Sequence, residues 1–382
     1  MAEQPQTERV SPAAGSLAGS SAGAPARDLT AQEEPPRVVI TRGRIIASLL
    51  FVVGIVVFLY FGLPKLVGFG ASIKRLRQGD AGWLGGAAIL EFLSFCGYVA
   101  LFRAVFVRRS SRIGWNASYQ ITMAGLAATR LFAAAGAGGI ALTAWALRRS
   151  GMERRLVASR MIAFMALLYG VYMTALVADG VGLYLGLWPG GGSFAITIVP
   201  ALLGLGVIAI FLAISLLPRD ADRLMSARAA GDGFTAGIAR RLATGPTAAA
   251  TGVRTALALI RGRDAGLLGA VAWWGFDIAT LWACFHAFGY HPHTGVVVMA
   301  YFVGWIGNTL PLPGGIGGVE GGLIGAFTVF GVGVQGAVVA VLAYRAFSFW
   351  LPTLPGAVAY FQLRRTVRAW DSSDGPPAAA AL

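Results

Sequence analysis

Charge is scarce in this chain, and negative charge most of all. Of 382 residues only 13% are charged, with 17 Asp and Glu against 31 Lys and Arg. A soluble domain carries roughly 25% charged residues, so an ordinary soluble fold is excluded. Cysteine is almost absent: Cys96 and Cys284 both sit in apolar runs, which excludes a disulfide framework. His286, His291 and His293 are the three histidines. Without a neighbouring cysteine or carboxylate cluster they indicate no metal centre, and no cofactor is implied. No P-loop is present, which argues against ATP-driven transport within this chain. Nor is there a signal peptide. Residues Met1 to Pro36 are rich in Ala, Ser, Pro, Gly and Glu, lack an apolar core and read as a disordered tail. Ser372–Leu382 read as a second, shorter disordered end.

What fills the chain instead is apolar sequence, 56% of it. A membrane span needs about 20 mostly apolar residues. Six segments qualify: Ile45–Leu63, Trp83–Val105, Leu156–Leu183, Ile196–Leu217, Leu267–Phe288 and Val338–Phe361. Two more stretches, Ala117–Leu147 and Thr294–Phe330, are long and apolar but interrupted by glycines. The net charge of +14 would suggest nucleic acid in a soluble protein, but here the arginines flank apolar segments and first report topology. With the N-terminus in the cytoplasm and each interrupted stretch folded as a hairpin returning to its own side, the arginines collect on one face. That face holds Arg37, Arg42, Arg44, Arg103, Arg108, Arg109, Arg112, the run from Arg148 to Arg160, eight arginines from Arg219 to Arg263, and Arg364, Arg365 and Arg368. The outer face keeps Lys65, Lys74, Arg75 and Arg77. Threading either interrupted stretch as one full span would place an arginine-rich loop outside, against the positive-inside rule.

The expected fold is therefore all-α and polytopic: about six full transmembrane helices plus two re-entrant helical hairpins, in a multi-pass protein of the cell membrane with both termini cytoplasmic. The expected organisation is a tail at 1–36, a transmembrane domain at 37–371 and a tail at 372–382. The transmembrane domain divides into halves of about 37–190 and 191–371, with a basic amphipathic cytoplasmic segment at 218–264 suited to anionic headgroups. Span, span, hairpin, span occurs twice, the second time from the opposite side. "TRLFAAAGAGGI" (Thr129–Ile140) aligns with "NTLPLPGGIGGV" (Asn308–Val319), matching Leu131 with Leu310, Gly136 with Gly315, Gly138 with Gly317 and Gly139 with Gly318. Inverted repeats whose broken helices meet near the midplane are a transporter architecture.

Charge inside a membrane is costly and marks function by default. The candidates are Glu91, Arg130, Asp277, Glu320 and Arg345. Asp179 is assigned to the outer end of its long helix and Arg103 to the cytoplasmic face, where its side chain snorkels. Arg130 lies about 13 residues into the first hairpin, roughly 20 Å deep at 1.5 Å per residue. Asn308 lies at a similar depth in the second. Non-helical backbone at that depth survives only buried in protein or facing a water-filled cavity. Gly136, Gly138 and Gly139 in one tip, and Gly314, Gly315, Gly317 and Gly318 in the other, permit tight turns. Pro311 and Pro313 end the incoming half-helix. Freed N–H groups where each half-helix restarts favour anions, and a neighbouring arginine suits phosphate. Two readings stand. In one, the charges are buried struts, Arg130 pairing with Glu91 or Glu320 and Arg345 with Asp277, and the glycines are close-packing surfaces. In the other, some of them line a polar cavity.

The run "NTLPLPGGIGGVEGGL" resembles the Pro-x-Pro-Gly-Gly-x-Gly-x-x-Glu signature of the lysylphosphatidylglycerol synthase transmembrane-region family, also called the UPF0104 or flippase-like domain family. "MAGLAATRLFAAAGAGGIALTAWALRRSGM" resembles its first hairpin, and the likeness runs from about Ile45 to Arg368. Ala133 and Ala134 stand where many relatives carry proline, and Ala141 stands opposite Glu320, so the hairpins are not equivalent. The resemblance implies a stand-alone member without the aminoacyl-transfer domain, and a flippase-like translocase for an anionic phospholipid or polyprenyl-linked lipid. Membrane lipids would then be the partners, nucleic acid would not, and no catalytic residue is indicated. Arg130 and Arg345 would attract phosphate, while Glu320, Asp277 and Glu91 would balance charge or exchange protons. A membrane-embedded transferase or accessory subunit acting on polyprenyl-phosphate sugars is the alternative, although no outer-loop acidic pair supports it, Asp80 being the one carboxylate of the first outer loop. A non-transporting scaffold is the third.

Overall fold

The computed structural model describes residues 78–107, 112–131, 137–216, 249–309 and 315–373. The described residues form helices joined by short turns, in the order α1 (Ala81–Phe106), α2 (Trp115–Leu131), α3 (Ala137–Arg149), α4 (Arg154–Tyr184), α5 (Phe194–Ser215), α6 (249–261), α7 (Leu268–Ala287), α8 (Thr294–Trp305), α9 (Gly318–Val329), α10 (Val334–Arg345) and α11 (Leu351–Ser373). A π-helical segment, Ala346–Trp350, fuses α10 to α11. Five segments are long and apolar enough to cross a membrane: Ala81–Phe106, Arg154–Tyr184, Phe194–Ser215, Ala265–Ala287 and Val334–Trp370. The 26 residues of α1 rise about 39 Å, more than the roughly 30 Å hydrocarbon core. The chain is an all-α polytopic membrane protein. The expected span at Ile45–Leu63, the N-terminal tail, residues 218–248 and the C-terminal tail beyond Ser373 lie outside the described residues; Ser372 and Ser373, read from sequence as the start of that tail, instead end α11.

The expected spans reappear with shifted ends. The last expected span, Val338–Phe361, is the middle of a helical rod running from Val334 to Ser373. Asp80 caps α1, its Oδ1 accepting the Trp83 N–H at 2.9 Å. Helix α6 lays Ala250, Val253 and Ala256 inward and packs near Ile162 and Ser159 of α4. Its Arg254 donates to the Ser215 carbonyl at 2.9 Å, so this part of the basic segment is docked on the bundle.

The centre of the molecule is the antiparallel pair α1–α7. The Asp80 N–H donates to the Ala287 carbonyl at 2.8 Å, the Thr280 hydroxyl to the Ala87 carbonyl at 3.4 Å, and the Ser94 hydroxyl to the Trp273 carbonyl at 2.8 Å. Further along, Gly97 meets Gly269, and a methyl group added at Gly97 would lie 2.9 Å from the Gly269 carbonyl oxygen. Lipid offers no hydrophobic drive between helices, so close approach at small residues and hydrogen bonds hold such a pair.

Both interrupted stretches fold back on themselves as the glycines predict. In the first, α2 and α3 touch where a methyl group at Gly139 would lie 2.5 Å from the Gly125 carbonyl oxygen. In the second, α8 and α9 touch at Gly304, whose added methyl would lie 2.7 Å from the Leu323 Cα. The first arm of each hairpin then packs on a long helix, α2 on α11 and α8 on α4. Gly356 of α11 meets the Met123 carbonyl of α2, and Thr366 donates to Gln120 Oε1 at 2.7 Å. Likewise Tyr172 of α4 donates its hydroxyl proton to the Phe302 carbonyl of α8. The first arm of each hairpin is thus held by a helix distant in sequence.

Candidate functional site

A cavity of about 340 Å³ opens where the two hairpins converge on α1 and α7. Arg130 and Gly139 border it from the first hairpin, Asn308 and Gly315 from the second. Glu91 and Asp277 face it from the central pair, and Arg345 from the end of α10. Five of the six site residues read from sequence therefore share one space. The sixth, Glu320, stands behind Arg345.

The second hairpin builds its end locally. After α8 the chain tightens into a 3₁₀ turn, Ile306–Thr309. It re-enters α-helix through Gly315 (φ 66°) and Gly317 (φ 86°), left-handed positions suited to glycine. Gly317 caps α9: its N–H donates to Glu320 Oε2 at 2.7 Å, the return bond of a capping box. The other Glu320 oxygen, Oε1, accepts from Arg345 Nε at 2.8 Å. One buried carboxylate thus closes the helix start and anchors an arginine. Leu310 to Gly314, including Pro311 and Pro313, lie outside the described residues, as do Phe132 to Gly136. Gly138 and Gly139 belong to the first turn of α3.

The ion pairs differ from the expected struts. Arg345 pairs with Glu320 and not with Asp277. Arg130 makes its described hydrogen bonds to backbone carbonyls: Nη2 donates to Ser348 at 2.7 Å and Nη1 to Phe349 at 3.5 Å. The physical reason lies in "SFWLPTLP". Pro352 has no N–H to offer the carbonyl four residues earlier, which belongs to Ser348. The helix relaxes there into its π-segment, and an arginine from the opposite half takes the freed acceptor. Asp277 is held by hydroxyls: Tyr301 donates to Oδ2, and Tyr344 donates to the same oxygen at 2.9 Å.

Aromatic rings complete the wall. The Arg345 guanidinium carbon lies 4.6 Å from the Phe349 ring centre, and that of Arg130 lies 5.6 Å from the same ring. Trp305 and Trp274, which also line the cavity, stack edge to face with centres 6.0 Å apart. Two donors on cavity-lining residues, Arg345 Nη2 and Trp305 Nε1, are buried without a partner. Tyr301, Tyr344 and Trp305 were not legible as site residues, because an aromatic residue in an apolar run reads as packing. The one available signal was Tyr344 standing next to Arg345 inside a span. Asp179 is buried near the end of α4 and does not line this cavity. Among the described residues no group of three or more His, Cys, Asp or Glu is arranged to hold a metal.

The sequence profile of the lysylphosphatidylglycerol synthase TM region matches residues 45–356. The chain is also similar to a UPF0104 membrane protein of Methanothermobacter thermautotrophicus, with 36% identity over 95 residues, 25% of this chain and 27% of that protein. The match therefore spans about a quarter of that relative's length. No solved structure matches.

Proposed function

Because the chain belongs to the lysylphosphatidylglycerol synthase transmembrane-region family, we propose that its cavity receives an anionic lipid headgroup and passes it between leaflets. The observation that carries this reading is the pair of guanidiniums on one cavity, with one nitrogen of the second, Arg345 Nη2, and the cavity-lining Trp305 Nε1 both buried without a partner. Buried donors without acceptors cost about 1–3 kcal/mol each, and a phosphodiester supplies acceptors to both. Arg130, tied to carbonyl dipoles, is free of a direct carboxylate partner among the described residues and is the first contact for phosphate. Arg345, fixed through Nε by Glu320, presents its two terminal nitrogens in a set direction. The positive-inside pattern supports placing both termini in the cytoplasm of a cell-membrane protein.

The test is exchange of a labelled anionic phospholipid across liposome membranes. Faster exchange than in protein-free vesicles supports the reading, and equal rates overturn it. Carboxylates on the same cavity favour one second reading, transfer chemistry on a polyprenyl-phosphate sugar. Turnover of such a lipid without exchange would select it.

A further inference from the structure

Glu91 and Asp277 are 3% and 4% exposed and meet where α1 and α7 pair. Each carboxyl has an oxygen with no donor, Glu91 Oε2 and Asp277 Oδ1. The register that sets Ala87 against Thr280 and Ser94 against Trp273 places Glu91 level with Asp277, and both side chains line the same cavity. Ionised carboxylates only accept, so a bond between two of them requires a proton on one. A proton held between them gives both orphan oxygens a partner.

The surroundings fix what that proton does. The pair is faced by Arg130 of α2, by Tyr301 of α8, by Tyr344 of α10, and by Cys284 and Thr280 of α7 itself. Arg345 of α10 faces Arg130 and is neutralised by Glu320 of α9. Tyr169 of α4 faces Tyr98 rather than the pair. With one proton on the pair, the remaining negative charge balances Arg130, and the empty cavity is neutral. A phosphodiester bound at Arg130 adds a negative charge in a poorly screened interior. A second proton on the pair restores neutrality.

We propose that Glu91 and Asp277 form a proton-binding site through which the protein takes up a proton with each monoanionic headgroup. This rests on the reading of the cavity as a headgroup site. The proton comes from water on the side to which the cavity is open, forms an O–H bond on the second carboxyl, and returns to water when the headgroup leaves. No other bond changes. The two faces of the inverted architecture would then see the same charge-neutral load.

Calorimetric titration of the purified protein with dihexanoyl phosphatidylglycerol, in buffers of differing ionisation heat, measures protons taken up per bound lipid. Wild type should take up about one proton, with affinity falling about tenfold per pH unit over the range of uptake. The double variant Glu91→Gln, Asp277→Asn should bind with no uptake and no pH dependence. Binding by wild type without uptake overturns the proposal, as does uptake retained in the double variant. A second measurement stands apart from lipid binding. Infrared spectra of wild type should carry a protonated-carboxyl stretch that the double variant lacks, and its absence from wild type at every pH overturns the proton site. Absence of any binding heat, with that band present, sinks the headgroup reading alone.

Discussion

Glu320 and Arg345 form a buried ion pair, 2.8 Å from Oε1 to Nε, that ties the first turn of α9 to the last turn of α10. Each is 4% exposed. Removing one partner strands the other charge in a dry interior, at about 3–5 kcal/mol. Glu320→Ala should therefore lower the melting temperature of detergent-purified protein sharply. The double variant Glu320→Leu, Arg345→Met, with no stranded charge, should recover most of the loss. A single variant that melts like wild type would show the pair to be solvated.

Arg130 joins α2 to the π-segment through the Ser348 carbonyl, without a counter-charge at hydrogen-bond distance among the described residues. Arg130→Ala should slow exchange of a labelled anionic lipid in proteoliposomes about tenfold or more, equivalent to ~1.4 kcal/mol or above in the barrier. Arg130→Lys should fall between, since an ammonium cannot span two carbonyls as a planar guanidinium does. Wild-type exchange by Arg130→Ala would remove Arg130 from the translocation site.

Tyr301 and Tyr344 supply the described donors to Asp277 Oδ2. Tyr344→Phe should cost about 1–3 kcal/mol, and the double Tyr301→Phe, Tyr344→Phe more than either alone, because the last donor leaves a buried oxygen bare. Thermal unfolding followed by tryptophan fluorescence reads both.

The α1–α7 contact is set by glycine. Gly97→Val would drive a branched side chain onto the Ala272 Cβ and the Gly269 carbonyl, and should destabilise by about 1–3 kcal/mol or more. Gly275 on the same α7 has open space around it. Gly275→Ala should be neutral or up to ~1 kcal/mol stabilising, from helix propensity. Comparison of the two melting curves separates packing from composition.

Topology has its own measurement. Cys96 is exposed and must first be replaced by serine. A cysteine at the exposed Glu153 should then react with an impermeant thiol reagent from the cytoplasmic side alone, and one at the exposed Gly333 from the outside alone. Labelling of both from one side would overturn the opposed entry of the hairpins.

The helices and the broken stretches were legible in sequence because the bilayer imposes long apolar runs and glycine marks where two of them fold back. Arg130, Glu91, Asp277, Arg345 and Asn308 stood out for the same reason, as polar groups in an apolar solvent. Partner choice was not legible. Arg345 finds Glu320, 25 positions away, because α9 and α10 form adjacent arms, and Asp277 finds tyrosines that sequence alone assigns to packing. The π-segment left no periodic signature, although Pro352 marked where a carbonyl would go without its usual donor.

Along α1 and α7, Asp80 meets Ala287, Ala87 meets Thr280 and Ser94 meets Trp273, so each step forward on one helix is an equal step back on the other. A slide of either helix along the other would break all three bonds together, so the pair resists shear and behaves as a single strut.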